Sequence, residues 1–309
     1  MDVPVVQVGS LTATQKTNLN GFPKAAELIE ITGAHALEGS DRAILNLLYQ
    51  HAHDSGRLAE VGASWVIPMS ALRASTHESN DRLRESLDRL LSVKVNVSYR
   101  DKATGEPRLI LTQLFGGFDI PESGAVSGGT GAIVRFTVPE MLRPVLAQSG
   151  RWGRIKAEVV CAMSSKYAIA LYELVQLRAG LDRCIEQFPL KRFRELLGVP
   201  PDAYERGSNL VQKVINVAVI EVNGLSEMGI KIEVVRQSPR APITGIRLAW
   251  WRKDGDEFRA AYAERNRSKM GRSARLRGKT SQLGGPVATD PKVHFGRVDG
   301  GRHRTAGDC

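Results

Sequence analysis

The chain has 309 residues, 43 Lys and Arg against 33 Asp and Glu, a formal net charge of +10 with His neutral, and 42% hydrophobic residues. That length exceeds one small domain and suits two units of about 100 residues with tails, while the basic excess suits a polyanionic partner, because neutralised phosphates release counterions. No run approaches the ~20 apolar residues of a bilayer span, and three cysteines without CxxC spacing make neither a zinc site nor a disulfide framework. The expectation is a cytoplasmic protein with free thiols and no membrane association.

In chain order, residues 1–38 are weakly patterned and read as a flexible N-terminal arm. The opening MDVPVVQVGSLTATQK lacks the basic stretch and apolar run of a secretory signal. A first unit is expected over 39–155. Ile44, Leu47, Leu48 and His51 recur at helical spacing. Ile67-Pro68-Met69-Ser70-Ala71-Leu72-Arg73 reads as a strand entering a short helix. A second helix over 80–91 carries Leu83, Leu87 and Leu90 on one face. Residues 93–99 alternate as a half-buried strand does, 101–107 form a polar turn, and 108–115 return. The small residues of 124–131 read as a flexible loop.

The same order recurs over 156–253. A helix carries Tyr167, Ala168, Leu171, Leu174 and Val175 inward. Phe188-Pro189-Leu190-Lys191-Arg192-Phe193-Arg194 repeats the strand-into-helix pattern, closed by Gly198 and Pro200. A long helix over 208–222 places Leu210, Val214, Val217 and Ala218 inward, with Ser208 as its N-cap. A hairpin then runs out over 230–236, turns over 237–242 and returns over 243–251. Helix, strand, short helix, long helix, hairpin is the order of a winged helix, so the fold class expected is α+β: two tandem winged-helix (helix-turn-helix) domains with flexible N- and C-terminal tails. Residues 254–309 hold much Gly, Ser and Arg and few large apolar residues, and read as a basic, largely disordered tail with a short helix over 256–266.

In a helix-turn-helix, the helix after the turn enters the major groove and its exposed N-terminal side chains meet base edges. In the second unit that stripe is Asn209, Gln212, Lys213 and Asn216, spaced i, i+3, i+4 and i+7. Asn and Gln bond adenine bidentately; Lys reaches guanine or a phosphate. Arg206 and Ser208 sit at the helix entry. In the first unit the matching stripe is Arg82, Glu85, Ser86 and Arg89, from which Arg82 and Arg89 are taken as DNA contacts. Arg100, Lys102, Arg236 and Arg240 flank the hairpin turns as phosphate contacts, which fix register without reading sequence. The bland alternative for every stripe is an ordinary solvated face.

Other motifs lead nowhere catalytic. His51-Ala52-His53 has the spacing of a strand-borne metal pair, but on a helix positions i and i+2 diverge. Tyr167 lies in the inward set, which fits a core residue better than a nucleophile. Arg277-Gly278-Lys279-Thr280 resembles the end of a phosphate-binding loop, yet Ser273 stands where its first glycine belongs and no strand precedes it. The glycines at 128, 129 and 131 precede a strand where a nucleotide fingerprint follows one. The expectation is no catalytic residue, no metal and no cofactor.

Four ordered motifs over about 160–252 resemble the C-terminal winged helix of iteron-binding plasmid replication initiators. Ser164-Ser165-Lys166-Tyr167-Ala168-Ile169-Ala170-Leu171-Tyr172-Glu173-Leu174 is similar to that family's S-x-Y-A-x-x-L-Y-E-L opening. Phe193-Arg194-Glu195-Leu196-Leu197-Gly198 is similar to its L-R-x-x-L-G turn region, and Tyr204 follows. Residues 211–223, VQKVINVAVIEVN, resemble F-K-R-x-V-I-x-x-A-x-x-E-I-N, and 246–251 suit the closing strand. The resemblance implies binding of double-stranded origin repeats through the second domain, dimerisation and backbone contacts through the first, a monomer–dimer equilibrium, repression of its own gene, origin opening, and recruitment of a host initiator and replicative helicase. Two departures stand out: Val211 replaces an aromatic, and the basic pair is Gln212-Lys213. A transcriptional regulator on the same fold and a nicking nuclease are the competing readings.

Overall fold

The computed structural model describes residues 21–73, 80–122 and 131–283, with side chains as far as residue 278. The first surprise lies at its beginning. Strand β1 (Phe22–Ala25) pairs antiparallel with β7 (Trp152–Ile155), and the short helix α1 (Ala26–Ile29) buries Leu28 and Ile29. Residues 21–38 are therefore part of the fold, which corrects the expected flexible arm. Their strand partner lies about 130 residues away along the chain, where local periodicity has no reach. Residues 1–20 lie outside the described residues.

The first winged helix follows. Helix α2 (Gly39–Asp54) starts in a capping box, the Glu38 N–H donating to the Asp41 carboxylate at 2.8 Å. It buries Ile44, Leu45, Leu48, Tyr49 and Ala52. Strand β2 (Ser64–Pro68) turns Trp65 and Ile67 inward and leads into α3 (Met69–Leu72); α4 (Asn80–Ser92) buries Leu83, Leu87 and Leu90. The hairpin of β3 (Lys94–Arg100) and β4 (Pro107–Gln113) has the expected alternation and turn. It does not join β2, however. That strand pairs with β6 (Ile133–Thr137), which also pairs with β5 (Gly117–Asp119). An aromatic group of Trp65, Phe115, Phe118 and Phe136 seals this sheet onto Tyr49.

Helix α5 (Leu142–Ala147), β7 and α6 (Ala157–Ala162) lead to the second winged helix. Helix α7 (Lys166–Arg178) is buried from Tyr167 to Arg178, as a helix with neighbours on every side must be. It packs against β7, α2 and the helices of its own module, so it belongs to both modules. Strand β8 (Ile185–Pro189) enters α8 (Leu190–Leu197), which Gly198 ends in the left-handed conformation at φ 68°. The long helix α9 comprises α-helical Gly207–Leu210, a π turn over Val211–Ile215 and α-helical Asn216–Leu225. Strands β9 (Met228–Val235) and β10 (Gly245–Arg252) complete a sheet in the order β8-β10-β9.

The short helix expected over 256–266 is present, and the expectation of a largely disordered tail is corrected as far as residue 283. Helices α10 (Gly255–Arg265) and α11 (Arg272–Leu283) form a pair docked on α9. Their apolar content is small, but polar anchors add to it. Arg272 donates to the carbonyls of Ala162, Glu264, Arg265 and Arg267, and Arg275 holds the buried Glu264 at 2.7 Å. The Arg277-Gly278 segment is thus helical, not a loop. Residues 123–130 and 284–309 lie outside the described residues.

Candidate nucleic-acid interface

Two features build the start of α9. The first is Arg194 on α8, whose guanidinium donates to the carbonyls of Pro200, Pro201, Ala203 and Tyr204. One side chain thus folds the whole turn between the two helices. The turn also puts Tyr204 at φ 57°, a left-handed conformation unusual for a tyrosine. Its ring meets Tyr167 edge-on at 6.4 Å. Burial, with a hydrogen bond donated to Tyr204, pushes the Tyr167 hydroxyl up to about 12, so this tyrosine is neutral core. The second feature is the π turn. It brings Ile215 into the core beside Val214 and leaves Val217 half-buried, where an unbroken α period placed Val217 inward.

The helix begins one residue earlier than expected. Arg206 is the N-cap residue, its carbonyl accepting from the Leu210 N–H at 3.1 Å, so Ser208 is not the cap. Gly207 follows because a Cβ there would press on Ile243 of the wing, 3.0 Å away, with the Arg236 guanidinium beside it at 3.9 Å. The α9 entry and the hairpin turn are therefore in contact. Arg236 closes the wing turn by donating to the Ala241 carbonyl at 2.8 Å, while Arg240 is exposed at the tip.

Outward from this frame, Gln212, Lys213 and Asn216 are exposed and Asn209 is half-exposed on the expected stripe; Arg206 and Ser208 are exposed at the entry. Lys191, exposed in the first turn of α8, is a further cation that sequence reasoning passed over. In helix-turn-helix docking the helix before the turn crosses the DNA backbone. Its signal was its place in the repeated strand-into-helix segment.

The first module differs. Ser86 is buried, and Arg89 holds the buried Asp41 with two hydrogen bonds of 2.8 and 3.0 Å. Burial works to raise the Asp41 carboxyl, but Arg89, the Glu38 N–H and Ser86 outweigh it and hold the group below the usual aspartate range. Ser86 and Arg89 therefore leave the expected DNA stripe: the period of α4 turns them toward the α2 cap. What stays exposed is Arg82 among Asp81, Glu85 and Asp88, an acidic face overall. Arg100 folds back on the Gly105 carbonyl, and Lys102 on that of Gln148. On the exposed face of that hairpin, Leu109 and Leu111 are 55% and 71% exposed.

The histidine pair separates as expected. His51 lies against Phe136 and His53 against Asp54. Among the described residues no group of three or more His, Cys, Asp and Glu is placed to hold a metal, and no helix is long and apolar enough to cross a membrane.

Comparison with known families decides the kinship. Residues 24–176 match the model described as initiator replication protein, WH1, and residues 189–250 match that of initiator Rep protein, WH2. The chain belongs to the initiator Rep protein family. The WH1 match begins within β1 and ends within α7, so the Rep fold includes the N-terminal strand. It ends at 250 in the second module, leaving α10 and α11 as additions to it. The chain of "Crystal structure of Pi initiator protein in complex with iteron DNA" shares the fold at TM-score 0.55 and 16% identity, covering 77% of this chain and 98% of that one. "Crystal structure of SeMet derivatives of domain2 and domain 3 of RctB" is similar at TM-score 0.40 and 10% identity, over 70% and 83% of the two chains. No protein of curated function matches.

Proposed function

We propose that this Rep protein initiates plasmid replication by binding repeated origin DNA, seating the first turns of α9 in the major groove. The observation that carries the proposal is the solvent-facing set of Gln212, Lys213 and Asn216, braced by the Arg194-built turn and the adjoining wing. Asn209 and Gln212 read adenine edges, Lys213 takes guanine or a phosphate, and Arg206, Ser208, Lys191 and Arg240 hold the backbone. The Pi initiator, similar in fold, is one seen with iteron DNA.

The first module is assigned to dimerisation, with its backbone contacts limited to Arg82 and Lys102. The exposed charged side chains of α4 are Asp81, Glu85 and Asp88 against Arg82 alone, and the exposed Leu109 and Leu111 suit a second protein surface better than DNA. The protein acts in the cytoplasm with no catalytic step of its own; the opened origin passes to a host initiator and helicase, and the dimer represses its own gene. Footprinting beside the gene tests this. Several protected direct repeats of about 20 base pairs are expected, two turns of duplex for two modules. A single inverted repeat would make it a regulator, and metal-dependent nicking of supercoiled origin DNA would make it an enzyme.

A further inference from the structure

Helices α10 and α11 lie beyond the family match and leave an open groove of about 690 Å³ against α6. Its lining holds five cations and one carboxylate, Glu158. Arg272 is turned into the protein, and Lys156 pairs with Glu227 at 3.4 Å. Arg265, Arg267 and Lys269 reach solvent, Arg267 with 61% of its side chain exposed while it pairs with Glu264 at 3.7 Å. Beside them, Phe258 and Tyr262 sit one helical turn apart. Their rings are 6.5 Å between centroids and 29° from parallel, 40% and 51% exposed, and the Arg265 guanidinium lies 5.0 Å above the Tyr262 ring.

We propose that this groove binds single-stranded DNA, the rings of Phe258 and Tyr262 stacking on unpaired bases and Arg265, Arg267 and Lys269 holding the phosphates between them. It rests on the reading of the chain as an initiator that opens its origin. Cations alone would suit any polyanion; the rings narrow the choice. Duplex bases show only their edges, whereas an unpaired base offers its face. An acidic peptide satisfies the guanidinium groups and leaves both rings in water.

The groove is held firm for such a task. Lys269 donates to the Cys161 carbonyl and Arg272 to that of Ala162, tying the α10–α11 loop to α6, and Leu276 fills the space over Gly224. Gly224, where Leu276 docks α11, is about 20 Å along α9 from Asn209, at 1.5 Å per residue, which sets the docked helix pair at the far end of α9 from the proposed reading stripe.

The experiment uses the full chain, an oligo(dT) of about 12 nucleotides, and a duplex selected from random sequence by the wild-type protein. Phe258→Ala with Tyr262→Ala should weaken oligo(dT) binding about tenfold or more, with selected-duplex affinity kept within about twofold and the melting temperature unchanged. Arg267→Glu, at an exposed position, should weaken oligo(dT) binding and flatten its salt dependence. Photocrosslinks should map to α10. Absent oligo(dT) binding at low salt overturns the proposal, as does binding indifferent to ring removal. Equal loss on both probes also overturns it, and so does displacement by polyglutamate of a complex that ring removal does not weaken. Failure to select any duplex, with oligo(dT) binding intact, would instead strike the initiator reading alone.

Discussion

At the scale of single residues, the reading stripe and the residues that support it behave in opposite ways. In the proposed docking Gln212 and Asn209 read bases, so replacing either with Ala should relax preference at one base position by about 1–3 kcal/mol, measured by competition among single-base variants of the selected duplex. Unchanged discrimination in both would mean that another face meets the DNA. Lys213→Ala should weaken all duplexes alike if it holds a phosphate, with the salt slope falling by about one unit. Asp41 is a stability residue. Its folded carboxyl lies below its ordinary value, so its contribution is whole above about pH 4 and is lost as pH falls through the depressed folded value. Asp41→Asn should therefore lower the melting temperature at neutral pH, with the gap to wild type narrowing as the solution is acidified. A gap constant with pH would show that the Arg89 pair carries no charge-dependent stability.

At the scale of elements, the helices and hairpins of both modules were legible because each has a local period; of the motifs resembling the C-terminal winged helix, those from 193 onward lay in the WH2 match, while the opening at 164–174 fell at the end of the WH1 match. What those motifs do was not legible. Most hold the scaffold. Ser165 caps α7 by accepting from the Tyr167 and Ala168 N–H groups, and Glu221 accepts from the Ser164 and Ser165 N–H groups at 3.0 Å. Asn223 exchanges two hydrogen bonds with Ile230 and so fixes α9 to β9. The inward turn of Arg89 was hidden because its partner, Asp41, lies 48 residues away, and a helical stripe read from spacing alone has no knowledge of a buried acid opposite. The docking of α11 was hidden for a similar reason, since it depends on a gap at Gly224 that Leu276 fills. Gly224→Ala would overlap the Leu276 methyl groups and should cost about 1–3 kcal/mol. Adding Leu276→Ala should recover part of that loss. Limited proteolysis should cut the α10–α11 loop faster in the single variant; equal cleavage would mean that the pair does not depend on this contact.

At the scale of the whole molecule, the two winged helices share a buried polar fastening. Lys24 on β1 donates to Glu173 on α7 at 2.8 Å and to Asn46 on α2 at 3.2 Å, and Asn46 donates to the same carboxylate at 2.7 Å. The ammonium and the carboxylate are both fully buried, 1% and 2% exposed. Burial holds the Lys24 ammonium below its usual value despite the attraction of Glu173. This cluster joins the N-terminal strand, the first helix of module 1 and the shared helix of both modules, so its loss should loosen the modules together. Lys24→Met leaves a buried carboxylate without its cation and should cost about 3–5 kcal/mol, whereas replacing both partners with Met should cost far less, because the desolvation of two charges is relieved at once. The cycle of single and double variants should therefore be strongly non-additive in chemical denaturation. The two modules should also unfold in one transition in the wild type and separate into two in Lys24→Met. Additive losses, or a single transition in every variant, would mean that the other contacts of α7, its apolar packing and the Arg178 pairs with Glu30 and Glu186, unite them.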